Sequence, residues 1–315
     1  MARRVAAIDC GTNSIRLLVA DVEDDGVLVD VHREMRVVRL GEGVDATGRI
    51  SSGALDRTWA ALSDYTAILR ASGAVRVRMA ATSASRDADN RQDFVDMVRG
   101  VLGQEPEVIT GVEEASLTFL GAVGGLAPDP GPFLVADIGG GSTELVVGST
   151  TSTGDPEVHG RISLDIGCVR LTERILRSDP PPQQEISAAT EWATELLSGG
   201  LDQLPLDGLR RLVPVSGTAT TVAAAALHLP TYDPARIHLS RIPAGDVHRV
   251  ATTLLHSTRA HRAALGYMHP GRVDVIGAGS LVLSVLVSEV ERRTGIDEAT
   301  VSEHDILDGI ALSLG

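Results

Sequence analysis

The feature that most constrains the fold is a repeat, because residues 5–20 and 133–147 follow one plan. In each copy a short apolar run ends at an aspartate, a glycine turn with small hydroxyl residues follows, and a second apolar run resumes. Such a pattern predicts two strands joined by a tight turn, which is a β-hairpin. One copy in each half of the chain indicates an internal duplication whose two turns face a shared cleft.

The length of the chain agrees with two duplicated halves, since 315 residues exceed the usual size of one domain. The strongest break is the glycine and proline cluster at residues 124–132, which would end any helix or strand. We therefore expect a first domain over residues 1–125 and a second over residues 126–315. The last helix, from about residue 305, is expected to pack back on the first domain.

Local patterns alternate between strands and helices, so each domain is predicted to be α/β with a mixed sheet and flanking helices. Helical spacing is expected over residues 51–71, 91–102, 112–123, 185–197 and 218–227. Residues beyond 227 are expected to be mostly helical. The longest apolar run, 275–287, contains glycine and serine and is too short for a bilayer, so it predicts a buried helix.

Composition excludes several classes of function. The net charge of −14 disfavours nucleic-acid and anionic membrane partners, and an aromatic content of 3% disfavours binding by base stacking. All 28 basic residues are arginine, which excludes a phosphate-loop lysine, a Schiff base and a lysine general base. Phosphate would therefore be bound by arginine, by backbone amides or by a metal ion.

The cysteine content predicts a reduced, cytoplasmic location. Cys10 and Cys168 form neither a disulfide framework nor a CxxC zinc motif. The apolar run Val5–Ile8 is too short for a signal peptide, so we expect none.

The first motif is Asp9-Cys10-Gly11-Thr12-Asn13-Ser14-Ile15-Arg16. A carboxylate at a strand end can hold a hydrated cation, and a glycine turn lets backbone amides approach phosphate oxygens. An ordinary hairpin turn would explain this motif equally well.

The second motif is Asp137-Ile138-Gly139-Gly140-Gly141-Ser142-Thr143-Glu144. Three consecutive glycines after a buried strand cost backbone entropy, which is usually tolerated where a ligand must approach the backbone. Because this motif repeats the first in register, it favours phosphate binding over a merely flexible hairpin.

A catalytic candidate is the pair Glu113-Glu114 at the start of a predicted helix. Hydrolysis of a phosphoanhydride needs a base that orients and deprotonates water, and a glutamate can supply it. From the residues alone, favourable placement of acids in a first helical turn is the preferred explanation.

Together these motifs resemble a known family. The two turns are similar to the phosphate loops of the superfamily that contains actin, sugar kinases, acetate kinase and heat-shock chaperones. The forms D-x-G-T-N-S and D-I-G-G-G-S-T-E resemble the exopolyphosphatase/guanosine pentaphosphatase (Ppx/GppA) family. Further matches are G-x-E-E-A at 111–115, A-T-[SA]-A-x-R at 81–86, I-G-C-V-R at 166–170 and S-G-T at 216–218.

The resemblance implies a duplicated, two-domain actin-like (ribonuclease H-like) ATPase fold, of class α/β, with a central interdomain cleft. It implies Mg²⁺, or Mn²⁺, as cofactor, and Glu114 and Asp137 as the catalytic acids. The metal-side carboxylates would be Asp9, Asp137 and Glu144. The phosphate-binding residues would be Gly11, Thr12, Asn13, Ser14, Arg16, Arg86, Gly139, Gly140, Gly141, Ser142, Thr143, Gly217 and Thr218.

The implied function is exopolyphosphatase activity, in which water activated by Glu114 releases the terminal phosphate of inorganic polyphosphate. Removal of the 5′ γ-phosphate of pppGpp, the precursor of an alarmone of the stringent response, is an alternative with the same chemistry. A kinase of the same fold and a non-catalytic nucleotide or alarmone sensor are alternatives of other classes. A homodimer is implied by the resemblance alone.

Two departures from the family pattern concern the C-terminal part of the chain. The family commonly has V-S-x-x-x-L-R-E-G, and here Leu307 and Asp308 follow Ile306 where an arginine is usual. If that arginine lines the substrate path, substrate preference should differ. Long members carry extra C-terminal helical domains, so a long substrate channel is not expected in this chain.

Overall fold

The computed structural model describes residues 2–23, 27–126, 129–151 and 155–315. Ala127 and Pro128, in the predicted boundary cluster, lie outside the described residues. The chain forms two compact units, Met1–Gly121 with Ile306–Gly315 and Ala122–Asp305. The domain limits that the sequence indicates, 1–125 and 126–315, remain a prediction beside this grouping.

The first unit contains a mixed sheet flanked by helices. Its strands are β1 (Arg3–Cys10), β2 (Ser14–Val22), β3 (Leu28–Val37), β4 (Arg76–Ala81) and β5 (Glu107–Val108). Its helices are α1 (Val44–Thr47), α2 (Ser52–Ser72), α3 (Ser83–Asp87), α4 (Arg91–Leu102), α5 (Gly111–Val123, of which the last two residues belong to the second unit) and the C-terminal α13 (Ile306–Leu312). Among the described residues the sheet order is β3-β2-β1-β4-β5.

Strand β1 is apolar on both faces because the sheet is covered on both sides. Ala6, Ile8 and Cys10 belong to the core beneath α2 and α4, whereas Val5 and Ala7 belong to a second core that includes residues of α13. A strand buried on both faces has a continuous apolar run rather than alternation. The sheet therefore holds the end of β1, which carries Asp9, in a fixed position.

The second unit has the same kind of layered structure. Its strands are β6 (Phe133–Ile138), β7 (Thr143–Thr150), β8 (Pro156–Leu164), β9 (Arg211–Val215), β10 (Ser240–Pro243) and β11 (Glu298–Val301). Its helices are α6 (Cys168–Arg174), α7 (Gln183–Leu201), α8 (Ser216–Ala226), α9 (Pro234–Ile237), α10 (Ala244–His256), α11 (Arg259–Ala263) and α12 (Ile276–Thr294), with 3₁₀ turns at Gly124–Leu126 and Pro270–Arg272. Among the described residues the sheet order is β10-β11-β9-β6-β7-β8.

The two sheets confirm the internal duplication. In the first unit β1 pairs antiparallel with β2 and parallel with β4, and β2 pairs antiparallel with β3. In the second unit β6 pairs in the same way with β7 and β9, and β7 pairs with β8. The sequence repeat is thus a repeat of sheet topology, with the glycine turns at equivalent places.

The structure agrees with the predicted helices α4 and α12 but adds two strands, β10 and β11, that the sequence patterns did not predict. Helix α4 has the predicted bounds, and α12 contains most of the apolar run predicted to be a buried helix. Strands β10 and β11 were not expected in a region predicted to be mostly helical, because four residues are too few to establish a strand pattern. No helix among the described residues is both long enough and apolar enough to cross a membrane.

Candidate active site

The two glycine turns close in the same way. In the first unit the Gly11 amide donates to the Ser14 carbonyl oxygen at 2.9 Å, and in the second the Gly139 amide donates to the Ser142 carbonyl oxygen at 3.0 Å. Each turn follows an aspartate that lies one residue before the end of its strand. The duplication therefore extends to individual hydrogen bonds.

The carbonyl groups of the first turn are held from behind by segment 38–41. The Thr12 carbonyl accepts from the Gly41 amide at 2.9 Å, and the Asn13 carbonyl accepts from the first two amides of that segment at 3.1 and 2.9 Å. In a planar trans peptide the carbonyl and the following N–H point in opposite directions. The amides of Asn13 and Ser14 consequently point away from segment 38–41.

The carbonyl groups of the second turn are held by α6. Gly139 accepts from the first amide of α6 at 2.9 Å, and Gly140 accepts from the next two amides at 2.8 and 3.1 Å. The Gly141 carbonyl accepts from the Nε of Arg170, also in α6, at 2.7 Å. Three consecutive peptide groups are therefore oriented by one short helix.

The orientation of these peptides creates a concave row of donors. Because three carbonyls point towards α6, the amides of Gly140, Gly141 and Ser142 point to the opposite side. Successive amides aimed at one point are a recurrent binding site for phosphate and other anions. The close approach depends on Gly167, since a Cβ atom there would lie 2.4 Å from the Gly140 carbonyl oxygen.

The hydroxyls of two threonines that the sequence predicts to bind phosphate, Thr12 and Thr143, are hydrogen-bonded within the protein. The Thr12 Oγ1 is 2.8 Å from the Oγ of Ser83, and both side chains are buried. The Thr143 Oγ1 donates to the Ile166 carbonyl at 2.6 Å. Both contacts therefore fix the backbone of the turns.

The aspartate of the first turn is paired with an arginine. Asp9 and Arg16 lie directly opposite each other in the antiparallel register of β1 and β2. The Nε and Nη2 of Arg16 donate to the Oδ2 of Asp9 at 2.9 and 2.7 Å. The Arg16 side chain is 18% exposed and the Asp9 side chain 6% exposed, so the pair is largely shielded from water.

The aspartate of the second turn faces another acid. Asp137 and Glu144 occupy the positions that correspond to Asp9 and Arg16 and are directly opposite in the register of β6 and β7. Both residues are buried, and the Glu144 Oε1 accepts from the Ser163 Oγ at 2.8 Å. Directly opposed residues place their Cβ atoms about 4.5–5.5 Å apart on one face of a sheet. Two buried carboxylates at this separation favour a cation between them.

The donor set of the second unit fits magnesium better than a metal with a complete protein cage. In neither unit do three or more His, Cys, Asp or Glu side chains of the described residues converge as metal ligands. Mg²⁺ is usually bound through one or two carboxylates, with water and substrate phosphate completing its coordination. The Asp137–Glu144 pair matches that requirement.

Glu114 is positioned by the first turn of α5. Its amide donates to the Thr110 carbonyl at 2.9 Å, and its side chain is buried. Its Oε2 lies 3.3 Å from the Nη1 of Arg86, which also donates to the Ile109 carbonyl at 3.2 Å. The structure thus brings together two residues that the sequence predicted separately, a carboxylate base and a phosphate-binding arginine.

The neighbouring Glu113 has a different environment. It is exposed, and its Oε1 accepts from the Nη2 of Arg78 at 3.1 Å. Arg78 also binds Glu107 of β5 and the Ser313 hydroxyl. Glu113 therefore connects the start of α5 to Arg78 of β4, whereas the Glu114 side chain is buried beside Arg86.

A further candidate, Arg272, was missed in the sequence. Its Nη1 donates to the Gly217 carbonyl at 2.9 Å, and a Cβ atom on Gly217 would collide with its guanidinium. Ser216 has a φ of 63°, so β9 passes into α8 through a left-handed residue. Arg272 lies in a short turn without a recognisable motif, and the His269-Pro270-Gly271 breaker before it is the one local signal.

The environment of Cys168 links the S-G-T turn to the second glycine turn. Burial raises the pKa of the Cys168 thiol to about 11, with Arg272 opposing the shift and Asp137 adding to it. A Cβ atom on Gly279 would lie 2.6 Å from the Thr218 Oγ1 and 3.2 Å from the Cys168 Cβ. Cys168 therefore lies close to Asp137 on one side and to Thr218 and Arg272 of the S-G-T region on the other.

The comparison with protein families decides the classification. The Ppx/GppA phosphatase family matches residues 18–314. The chain belongs to the Ppx/GppA phosphatase family. This match confirms the resemblance seen in the sequence motifs.

Individual relatives are similar to this chain over nearly its whole length. Exopolyphosphatase 2 of Mycobacterium tuberculosis is 55% identical over 319 aligned residues, covering 99% of this chain and 98% of that protein. A solved exopolyphosphatase-like protein superposes with a TM-score of 0.94 at 41% identity, covering 100% and 98% of the two chains. The Ppx/GppA family member of Aquifex aeolicus superposes with a TM-score of 0.81 at 31% identity, again covering 100% and 98%. The predicted α/β fold with a mixed sheet in each half is thereby confirmed.

One departure from the Ppx/GppA pattern has a structural explanation. Leu307, at the position where the family commonly has arginine, is buried in the core shared by β1, β2 and α13. The adjacent Asp308 binds Arg33 of β3. In the first unit this segment therefore packs α13 on the sheet, and the effect of Leu307 on substrate preference stays a prediction.

Proposed function

We propose that this protein is an exopolyphosphatase, a hydrolase that releases the terminal phosphate of inorganic polyphosphate. The row of amides from Gly140 to Ser142, aimed to one side by α6, is the observation that carries this proposal. Such a row binds a phosphate group without needing lysine, which this chain lacks. The 55% identity to exopolyphosphatase 2 of M. tuberculosis supports polyphosphate as the substrate.

Phosphate binding is assigned to backbone amides and arginines. The turn amides, from Gly11 to Ser14 and from Gly139 to Thr143, would hold the oxygens of the terminal phosphates. Arg16, Arg86 and the S-G-T turn of Gly217 and Thr218 would neutralise or position the chain. Guanidinium groups suit this role because their planar fork matches two phosphate oxygens.

The chemical step is an in-line attack of water on the terminal phosphorus. Glu114 orients the water and accepts its proton, while the bond from phosphorus to the bridging oxygen breaks and its electron pair stays on that oxygen. The products are orthophosphate and a chain shortened by one phosphate. Arg86, 3.3 Å from Glu114, offsets the negative charge that develops on the transferred group.

The proposed cofactor is Mg²⁺, with Mn²⁺ as an alternative. Asp137 and Glu144 would hold the ion, which when bound supplies a Lewis acid for the phosphate oxygens. Of the three metal-side carboxylates predicted from the sequence, these two have the more suitable environment, because Asp9 is already paired with Arg16. Asp137 would also place the water.

The terminal phosphoanhydride of pppGpp presents the same bond, so pppGpp hydrolysis is the second candidate, and the Ppx/GppA family name covers it. A kinase remains the less favoured reading, since Glu114 and Arg86 fit activation of water rather than of a sugar hydroxyl. Both cysteines carry buried free thiols, which fits the proposed cytoplasmic location. Homodimerisation remains a prediction.

The deciding experiment measures phosphate release from medium-length polyphosphate, with Mg²⁺ and after chelation, for wild type and Glu114→Gln in parallel. Release that needs the metal and is lost in the variant is the expected result. Absence of release from wild type would transfer the proposal to pppGpp, tested in the same assay. Tight nucleotide binding without turnover of either substrate would indicate a sensor, and transfer to a sugar or acetate would indicate a kinase.

A further inference from the structure

The hairpin of β1 and β2 carries two Asp–Arg pairs with different surroundings. Asp9 and Arg16 face each other beside the glycine turn, and Arg4 and Asp21 face each other at the opposite end. Both pairs use the Nε and Nη2 of arginine, at 2.9 and 2.7 Å for Arg16 and at 2.9 and 2.9 Å for Arg4. The Arg4–Asp21 pair, remote from the turn, can therefore serve as a control for the Asp9–Arg16 pair at the candidate site.

The pair at the turn is arranged to fix one guanidinium. Both nitrogens of Arg16 converge on a single oxygen, the Oδ2 of Asp9, and this contact holds one edge of the guanidinium beside the turn. The other oxygen, Oδ1, is buried and accepts no hydrogen bond from the described residues. The Asp9 side chain is 6% exposed and the Arg16 side chain 18% exposed, compared with 25% for Asp21 and 39% for Arg4. Weak screening by water makes the inner pair the more strongly coupled one.

The negative charge of Asp9 is thus offset by the positive charge of Arg16. A carboxylate next to a buried guanidinium attracts a cation less than one without such a neighbour, because the guanidinium repels the ion. At the equivalent place in the second unit the arginine is replaced by Glu144, which adds negative charge beside Asp137. At the same register position the first hairpin therefore has an ion pair without net charge and the second has two acids.

We propose that Asp9 is a positioning residue that fixes the guanidinium of Arg16 for binding the phosphate chain and is not a ligand of the divalent cation. This inference rests on the proposed function and assigns the cation to the second hairpin alone. Fixing a long side chain before the ligand arrives removes an entropic cost of binding. The Asp–Arg pair of the first hairpin then serves phosphate binding, and the two acids of the second hairpin hold the cation beside its amide row.

The test compares Asp9→Asn with Asp21→Asn as a matched control on the same two strands. For Asp9→Asn we expect the KM for polyphosphate to rise about tenfold, with kcat and the Mg²⁺ concentration of half-activation unchanged. Asp21→Asn should leave all three values unchanged. Arg16→Gln should raise KM as much, and the Asp9→Asn/Arg16→Gln double variant should be no worse than Arg16→Gln, since each single change removes the same interaction.

A readout without turnover separates this inference from the proposed function. In the Glu114→Gln background with EDTA present, the increase in Tm caused by inorganic tripolyphosphate should shrink with Asp9→Asn and persist with Asp21→Asn. This measurement stands even if wild type hydrolyses no polyphosphate. A raised Mg²⁺ requirement in Asp9→Asn, lost Mn²⁺ binding in calorimetry, or additive effects in the double variant would overturn the proposal.

Arg16→Gln keeps the proposal testable if Asp9→Asn does not fold. If Asp9 were a metal ligand, removal of the neighbouring guanidinium would lower the Mg²⁺ concentration of half-activation. If Asp9 only positions Arg16, that concentration stays the same and KM alone changes. The two outcomes cannot coincide.

Discussion

The Nε of Arg170 donates to the carbonyl oxygen of Gly141 at 2.7 Å and thereby sets the direction of the next peptide group. Arg170 is largely buried, and its backbone amide also binds the Gly140 carbonyl. One residue of α6 therefore orients two consecutive peptides of the second turn. The consequence is an amide row whose geometry depends on a side chain on the opposite side of the turn from the proposed phosphate site.

Arg170→Ala should weaken phosphate binding by about 1.5–3 kcal/mol, because the Ser142 amide loses its fixed orientation towards a charged ligand. The effect should appear as a higher KM for polyphosphate. Arg293→Ala is the matched control, since Arg293 also has a side chain 12% exposed and also donates to a carbonyl, that of Ser198. Steady-state kinetics and Tm for both variants check this prediction. An equal KM change in the two would contradict it.

Glu114→Gln should lower kcat by about 10²–10⁴-fold while retaining substrate binding, because the amide cannot accept the proton of water. Glu113→Gln is the control next to it, and it should change kcat less than threefold because Glu113 binds Arg78 at the surface. Single-turnover phosphate release and the Tm of each variant are the measurements. Comparable losses in both variants would remove Glu114 from the role of base.

Gly167→Ala should destabilise the fold by about 1–3 kcal/mol and raise KM, because its Cβ atom would lie 2.4 Å from the Gly140 carbonyl oxygen. Gly199→Ala in α7 is the control, since a Cβ atom there meets nothing within 4 Å. Alanine at Gly199 should be neutral or stabilising by up to about 1 kcal/mol. Urea unfolding reports both changes. A neutral Gly167→Ala would show that α6 can withdraw from the turn.

Stability should fall at alkaline pH partly through Cys168. Burial raises the pKa of its thiol to about 11, whereas an unfolded thiol has a pKa of about 8.5. The native state therefore keeps its proton while the unfolded state releases it, and stability is lost as pH rises from about 8.5 to 11. Relative to Cys168→Ala, wild type should lose roughly 2 kcal/mol more between pH 8 and 10.5. Parallel pH profiles of the unfolding free energy for the two proteins would contradict this.

Much of the fold was accessible from local patterns. The two turn motifs predicted two hairpins in register, and the sheets confirm this with the same pairing around β1 and β6. The bounds of α4 followed from its periodicity and from Gly103, whose φ of 84° ends the helix. Strands β10 and β11 could not be predicted from local patterns, because a strand of four residues is defined by its hydrogen bonds to neighbouring strands.

The candidate site was only partly accessible in the same way. The sequence placed Asp9 and Arg16 in the same turn motif, whereas their direct pairing across the hairpin is seen only in the structure. It could not identify Arg272, which reaches the Gly217 carbonyl from 55 residues away. It also could not show that the Thr12 and Thr143 hydroxyls bind Ser83 and the Ile166 carbonyl, contacts that depend on distant residues.

The sequence by itself determined the duplicated hairpins, the position of an aspartate before each glycine turn and the family to which these motifs belong. Such features are local, because propensity and turn geometry act over a few residues. Only the tertiary structure decided which groups hold the turns from behind and which partner each carboxylate has. Arg170 meets Gly141 across 29 residues and Arg86 meets Glu114 across 28, and contacts at that separation are set by the packing of helices on the sheets.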